Sequence, residues 1–313
     1  MQDLIQNTEP GTARQVLLDV PLTPTTTLPA IVVRGREDGP LLLVTAGIHG
    51  AEYASIEAAY RLAATSAENL RGTLVVLPIV NPAAFYQRSI YVNPIDGRNL
   101  NRMFPGRQGG TYAERLAYWL HETYLTQADA CLDLHGGDLV EALEPFSIYA
   151  RGHEPSRQLA LAFGLPHLVA SDSSGMTYEV SRTHGVPAII AEAGGQGQWE
   201  ARDVQLLVDG GQRVMAHLGM LGKTSPERQA VAEYDTFAWL RASASGLWSP
   251  TVRAGQRVEQ GETVGILRDL LGQELGTYTA PASGVVLFCV SSLAMNEGDP
   301  LVGIGAQTAA ACP

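Results

Sequence analysis

Three short aliphatic runs in this chain end alike. "PLLLVTAGIHGAE" (residues 40–52), "ACLDLHGG" (130–137) and "AIIAEAGG" (188–195) each lead a mainly apolar segment into a histidine or a glutamate, with glycine at or near that residue. Runs this short, aliphatic and closed by polar or glycine residues are the mark of strands buried on both faces. Such strands belong to sheets covered by helices, and in those sheets ligand sites gather at the carboxyl ends of the strands. "TLVVLPIV" (73–80) and "PFSIYA" (145–150) have the same character. Ahead of them, "RQVLLDV", "LPAIVVRG" and "PLLLVTAG" read as three extended runs, with a turn signal at Asp38–Gly39 between the second and third. Helical patterns lie between the strands. The clearest begins at Thr111, where Thr111 and Glu114 make a capping box ahead of Tyr112, Leu116, Leu120 and Tyr124. The alternation predicts an α/β fold, a mixed and mainly parallel sheet with helices on both faces.

Near residue 222 the pattern changes. "GKTSPERQA" reads as a linker, and the short strands beyond it are separated by glycine turns, so residues 1–225 are expected to form one domain and 226–313 a small all-β domain. Two pieces of the latter match each other, "VEQGETVGIL" and "MNEGDPLVGI". This duplication resembles the flattened barrel of biotinyl and lipoyl carriers, which need a lysine on an exposed hairpin. The single lysine is Lys223, so the barrel cannot carry such a group and is expected to cap or gate a site.

Bulk properties narrow the function. A net charge of -11 repels nucleic-acid phosphates and anionic lipid surfaces, which leaves a small molecule as the expected partner. No segment approaches the roughly 20 apolar residues of a membrane helix. The first residues lack a basic start and an apolar run, so a cytoplasmic protein is expected. Cys131, Cys289 and Cys312 form no CxxC pair and read as buried thiols. A homo-oligomer is compatible with the sequence but nothing in it requires one.

The strand ends carry the candidate chemistry. His49 and Glu52, three residues apart in a loop that enters a helix, can face one centre, and a neutral imidazole with a carboxylate suits Zn²⁺. A turn histidine followed by a glutamate at a helix start accounts for the segment equally well. A catalytic zinc usually takes three protein donors, and His135 offers a third, with Asp133 on the same strand face placed to orient a ligand. "RSIYVNPIDGRNLNRMFPG" (88–106) concentrates arginine and asparagine in an acidic chain, and Asn101 with Arg102 can clamp a carboxylate. Glu192 is placed as a general base for a metal-activated water.

Taken together, "GIHGAE", "NLNRMFPG", "DLHGG" and "AEAGG" resemble the succinylglutamate desuccinylase/aspartoacylase family, a branch of the zinc carboxypeptidase superfamily. The resemblance implies a zinc carboxypeptidase-like fold, one zinc ion held by His49, Glu52 and His135, a clamp of Asn101 and Arg102, Glu192 as base, and a β-rich C-terminal domain over the site. It also implies an arginine upstream of the clamp that polarises the scissile carbonyl. Arg88 is favoured for that role, with Arg98 as a specificity contact or salt bridge. The expected activity is zinc-dependent hydrolysis of the amide of a small N-acyl amino acid. A metallocarboxypeptidase acting on peptide C-termini and a binding module with a vestigial metal site are the alternatives. A serine hydrolase is not supported, because no Gly-x-Ser-x-Gly elbow occurs.

Overall fold

The computed structural model describes residues 1–222 and 230–307. In chain order its first part comprises α1 (Gln2–Gln6), β1 (Thr12–Val20), β2 (Thr26–Arg34), β3 (Glu37–Ala46), α2 (Tyr53–Ala63), β4 (Arg71–Leu77), α3 (Pro82–Gln87), α4 (Tyr112–Thr123), β5 (Ala130–His135), β6 (Glu141–Leu143), β7 (Phe146–Ala150), α5 (Glu154–Phe163), β8 (His167–Ser171), α6 (Glu179–His184), β9 (Ala188–Glu192), α7 (Ala201–His217) and β10 (Ala232–Tyr234). One sheet takes all of these strands except β6, in the order β1-β2-β4-β3-β5-β9-β7-β8-β10. The pairs β3–β4, β3–β5, β5–β9, β7–β8 and β8–β10 are parallel; β1–β2, β2–β4 and β7–β9 are antiparallel. This is the mixed, mainly parallel sheet that the aliphatic runs predict.

The period of two along a strand decides which helices each residue meets. Leu42, Val44 and Ala46 of β3 and Ala130, Leu132 and Leu134 of β5 join one core, with Leu62 of α2, Phe163 of α5 and Leu207 of α7. Leu43 and Cys131 face the opposite core, with Leu116 and Leu120 of α4 and Val180 of α6. The α4 capping box is present in full: the Thr111 hydroxyl accepts from the Glu114 N–H, and the Glu114 carboxylate accepts from the Thr111 N–H at 2.7 Å.

One local expectation is corrected. Asp38–Gly39 does not make the turn between the second and third strands but lies inside β3, where the register against β4 shifts between Glu37 and Leu41. A Cβ at Gly39 would sit 2.9 Å from Gly72 N, so the close approach of β4 is what requires glycine there.

The second part is β11 (Thr236–Arg241), β12 (Gly246–Pro250), β13 (Arg257–Val258), β14 (Thr263–Arg268), β15 (Glu274–Thr279), β16 (Gly284–Val290), β17 (Ala294–Met295) and β18 (Pro300–Ala306). They form two antiparallel sheets, β11-β18-β16-β13 and β15-β14-β12-β17, around Trp248, Val264, Leu267, Val286, Leu301 and Ile304. The sequence duplication is a structural one. β13 leads into β14 and β17 into β18, each crossing between sheets through a turn whose glycine has positive φ, Gly261 at 88° and Gly298 at 87°.

The two parts interlock. β6 pairs with β16, placing Leu143 opposite Phe288, while β10 adds to the large sheet beside β8. The boundary expected at 225/226 lies outside the described residues, as do Lys223 and Cys312. Cys131 and Cys289 are buried free thiols. Among the described residues no helix is long and apolar enough to cross a membrane.

Candidate active site

β3, β5 and β9 are neighbours in the sheet, and their carboxyl ends bring the three motifs together. Past Ala46 the chain turns through Gly47, at φ 65°, to His49 and then to Glu52, which occupies the N-cap of α2. Between them, a Cβ at Gly50 would overlap the Ala84–Phe85 peptide of α3. His135 ends β5 and lies opposite Glu192 in the parallel register with β9. A Cβ at Gly195 would overlap the Glu141 carbonyl, so the loop after β9 packs backbone to backbone there.

The donor atoms of His49, Glu52 and His135 lie within 4.8 Å of one another. Glu52 sits between the rings, with Oε1 2.7 Å from His49 Nδ1 and Oε2 2.9 Å from His135 Nδ1. The far nitrogens are held from outside: His49 Nε2 is 3.0 Å from Asn99 Oδ1, and His135 Nε2 is 2.7 Å from Asp133 Oδ2. Each outer oxygen accepts an Nε2–H and so fixes the tautomer that turns the Nδ1 lone pair toward Glu52. Two Nδ1 atoms and one carboxylate aimed at a common point, each imidazole braced behind, fit a metal ion.

The charges within the cluster favour protonated rings. Burial opposes ionisation of Glu52, but the positive charge of His135 and then of His49 outweighs it and holds the carboxyl at about 2. Burial favours a neutral His135 ring, yet the Asp133 and Glu52 carboxylates push it well above the ordinary histidine value. His49 is raised on balance by Glu52, against its own burial. The cluster stores protons that an incoming cation replaces.

The bracing extends outward. Asp133 accepts from the Thr45 hydroxyl and the Thr177 hydroxyl, each at 2.6 Å. Asn99 also accepts from the Asn101 N–H at 2.9 Å, so one side chain steadies both His49 and the next turn. Asn101 is buried; its Oδ1 accepts from Thr177 N at 3.0 Å, which leaves the amide Nδ2 as the donor end, 3.4 Å from the His135 ring. Asn101 and Arg102 both line the cavity that opens from the cluster.

Glu192 lines that cavity beside His135, and among the described residues its carboxylate has no hydrogen-bond partner. Burial pushes it well above the usual carboxylate range; the charges of Glu52, Glu141 and Asp133 add to that, against the pull of His135.

The cavity encloses about 840 Å³. Neither Arg88 nor Arg98 reaches it. Arg88 is exposed at the C-cap of α3 in the left-handed conformation, φ 52°, and Arg98 is exposed on the following loop. The lining arginines are instead Arg102, Arg151 and Arg241. Arg151 is tied down, donating to Asp172 at 2.8 Å and to the Asp235 carbonyl. Arg241 comes from β11 of the second part, and spacing along the sequence gave no sign of it. Tyr91, Glu141 and Asn99 were also not singled out. The Tyr91 hydroxyl donates to Glu141, whose carboxyl is pushed up to about 8, chiefly by burial, and the Tyr91 N–H donates to Asp138 at 2.8 Å. Only Asn99 left a trace in the sequence, as a short polar residue placed to cap the "LNR" turn.

Residues 38–218 match the family described as the succinylglutamate desuccinylase/aspartoacylase catalytic domain. The chain is 28% identical to the N-alpha-acetyl-L-2,4-diaminobutyric acid deacetylase of Halomonas elongata, over 88% of this chain and 85% of that protein. It is 29% identical to the succinylglutamate desuccinylase of Pseudomonas paraeruginosa, over 66% and 69%. The product-bound ectoine utilization protein EutE (DoeB) of Ruegeria pomeroyi superposes with a TM-score of 0.84 at 27% identity, covering 96% of this chain and 98% of that one. A succinylglutamate desuccinylase/aspartoacylase from Rhodobacter sphaeroides gives 0.82 at 26%, covering 95% and 96%. The matched span exceeds half of the chain, and the protein belongs to the succinylglutamate desuccinylase/aspartoacylase family.

Proposed function

We propose that the protein is a zinc-dependent deacylase that hydrolyses the amide bond of a small N-acyl amino acid. One observation carries the reading: His49 Nδ1, Glu52 and His135 Nδ1 converge at the ends of β3 and β5, and Glu192 lies beside them at the end of β9. Two imidazoles and one carboxylate are a common donor set of catalytic zinc. When bound there, zinc supplies Lewis acidity, which makes water a nucleophile near neutral pH.

The chain's own groups divide the remaining work. Arg102 and the donor end of Asn101 hold the substrate carboxylate by charge-assisted hydrogen bonds and so fix the amide over the cluster. Glu192 takes a proton from the attacking water as its oxygen adds to the amide carbon. It returns that proton to the amine nitrogen as the C–N bond breaks, and the second water proton, left on the new carboxylic acid, passes to the amine, so that a carboxylate and an ammonium are released. Burial, which raises the carboxyl above its ordinary range, favours the protonated form in which Glu192 delivers the proton. Asp133 and Asn99 keep the rings in the tautomer the donor set needs.

β11 contributes one wall of the cavity. The named relatives, a deacetylase of N-acetyl-diaminobutyrate and a desuccinylase of succinylglutamate, act on compounds of the proposed kind. A mass-spectrometric screen of N-acyl amino acids and short peptides tests the assignment. The expected result is amide cleavage of free N-acyl amino acids that a chelator abolishes and added zinc restores. Cleavage confined to peptides, or unaffected by chelation, contradicts it.

A further inference from the structure

The face of β11 turned to the cavity is unusual. Phe237, Trp239 and Arg241 alternate along the strand, so they share one side, and all three line the cavity. Phe237 and Trp239 stack with centroids 4.5 Å apart and planes at 28°. Phe288 of β16 meets Trp239 edge-on at 5.0 Å, and Phe146 of β7 meets Phe237 edge-on at 5.4 Å. The β18 residue opposite Trp239 is Gly303, where a Cβ would press into the Phe237 ring, so glycine is what lets that ring lie down on the sheet. Phe146 lies opposite Glu192 in the register of β7 and β9. The aromatic shelf therefore starts beside the base and runs along β11 to Arg241, about 13 Å at strand spacing from residue 237 to residue 241.

Two features of the shelf are unspent. Trp239 remains 40% exposed although Phe237 covers one of its faces. Among the described residues Arg241 donates to the Gly298 carbonyl at 2.9 Å, and neither it nor Arg102 makes a hydrogen bond or close ion pair with a carboxylate. These two guanidinium groups, one from each part of the chain, face the same cavity; burial is the main cost to the Arg102 charge, and the charge of Arg241 adds to it, against the pull of Glu192. An anion placed between them relieves the repulsion. A cavity of about 840 Å³ also has room for much more than an acetyl amino acid.

We propose that β11 is a substrate-recognition strand: Phe237, Trp239 and Phe288 receive an aromatic ring of the substrate while Arg241 shares its carboxylate with Arg102. The preferred substrates are then N-acyl amino acids that carry an aromatic ring, in the acyl group or in the side chain. The inference rests on the deacylase reading for its substrate class, and binding separates the two. Zinc-loaded Glu192→Gln protein is titrated by calorimetry with N-acetylphenylalanine, N-benzoylglycine and N-acetylalanine, and kcat/KM for each is measured on the unmodified enzyme. At least one aromatic compound binds about ten-fold tighter than N-acetylalanine, as one added ring contact provides. Which of the two does so identifies the half that carries the ring. Adding Trp239→Ala removes that advantage, Trp239→Phe retains most of it, and Arg241→Gln weakens all three ligands about ten-fold. Equal binding of aromatic and aliphatic compounds, or an aromatic advantage that survives Trp239→Ala, overturns the recognition strand and leaves the deacylase reading intact. Trp239-dependent aromatic binding without turnover of any N-acyl amino acid overturns the deacylase reading and leaves the strand in place.

Discussion

Replacing Asp133 by asparagine isolates what the outer carboxylate contributes to metal binding. Asp133 is buried and accepts three hydrogen bonds, from His135 Nε2 at 2.7 Å and from the Thr45 and Thr177 hydroxyls at 2.6 Å. Asparagine keeps the shape. Its oxygen can stay at the Oδ2 position and accept from His135 and Thr177, and its amide can face Thr45, whose hydroxyl turns to accept. The number of hydrogen bonds is conserved and only the charge is lost. Charge-assisted bonds are roughly twice as strong as neutral ones, and removal of such outer partners costs about 10- to 100-fold in metal affinity, or about 1.4–2.7 kcal/mol. Alanine is a poorer probe, because it strands a ring N–H and two hydroxyls in the interior at about 1–3 kcal/mol each. The assay is competition for zinc between metal-free protein and a chelating indicator, with Tm measured in parallel. The deficit also depends on pH. Asp133 helps hold the His135 proton, so the variant releases that proton more readily, and its deficit is largest at high pH and shrinks toward acid. Affinity within two-fold of the unmodified protein at every pH refutes the reasoning.

Glu192→Gln should lower turnover by about 10²- to 10⁴-fold with the zinc content unchanged; loss of metal instead would place Glu192 among the ligands. Arg102→Ala should raise KM about ten-fold or more, whereas Arg88→Ala and Arg98→Ala, whose side chains lie outside the cavity, should stay within about two-fold in steady-state kinetics. Glu141→Gln tests the buried carboxyl beside Tyr91. Its folded value of about 8 lies above the ordinary 4.5, so the folded protein holds this proton more tightly than the unfolded chain. That contribution is complete below about pH 4.5 and is lost as the pH rises toward 8. The variant's Tm, measured metal-free, should therefore fall less than that of the unmodified protein between those limits; parallel curves would contradict it.

Much of the fold was legible because burial on both faces leaves a plain trace. The aliphatic runs of β3, β5 and β9 need no alternation, and their glycines mark where the chain must turn within reach of other backbone. His49, Glu52, His135 and Glu192 were readable for the same reason, since each stands at the end of such a run. Asp133 was legible as a residue two positions before His135 on one strand. The Asp38–Gly39 pair misled because the same dipeptide serves a turn and a bulge, and only the position of β4 decides between them. β6 and β10 are three residues each and exist through partners far away in the chain, β16 and β8, so no local pattern announces them. The arginines show the same limit at the site. Spacing from Asn101 cannot say which side of a loop faces the cavity, and the arginines that share the cavity with Arg102 are Arg151 and Arg241, the latter delivered by the folding of a separate sheet.

Anomalous diffraction at the zinc absorption edge, from crystals of the zinc-loaded protein, addresses the shared centre with no assumption about substrate. A single strong peak about 2.0–2.2 Å from His49 Nδ1, His135 Nδ1 and a Glu52 oxygen is the result expected. A loaded crystal with no peak among those three side chains, or with its peak elsewhere, contradicts the account.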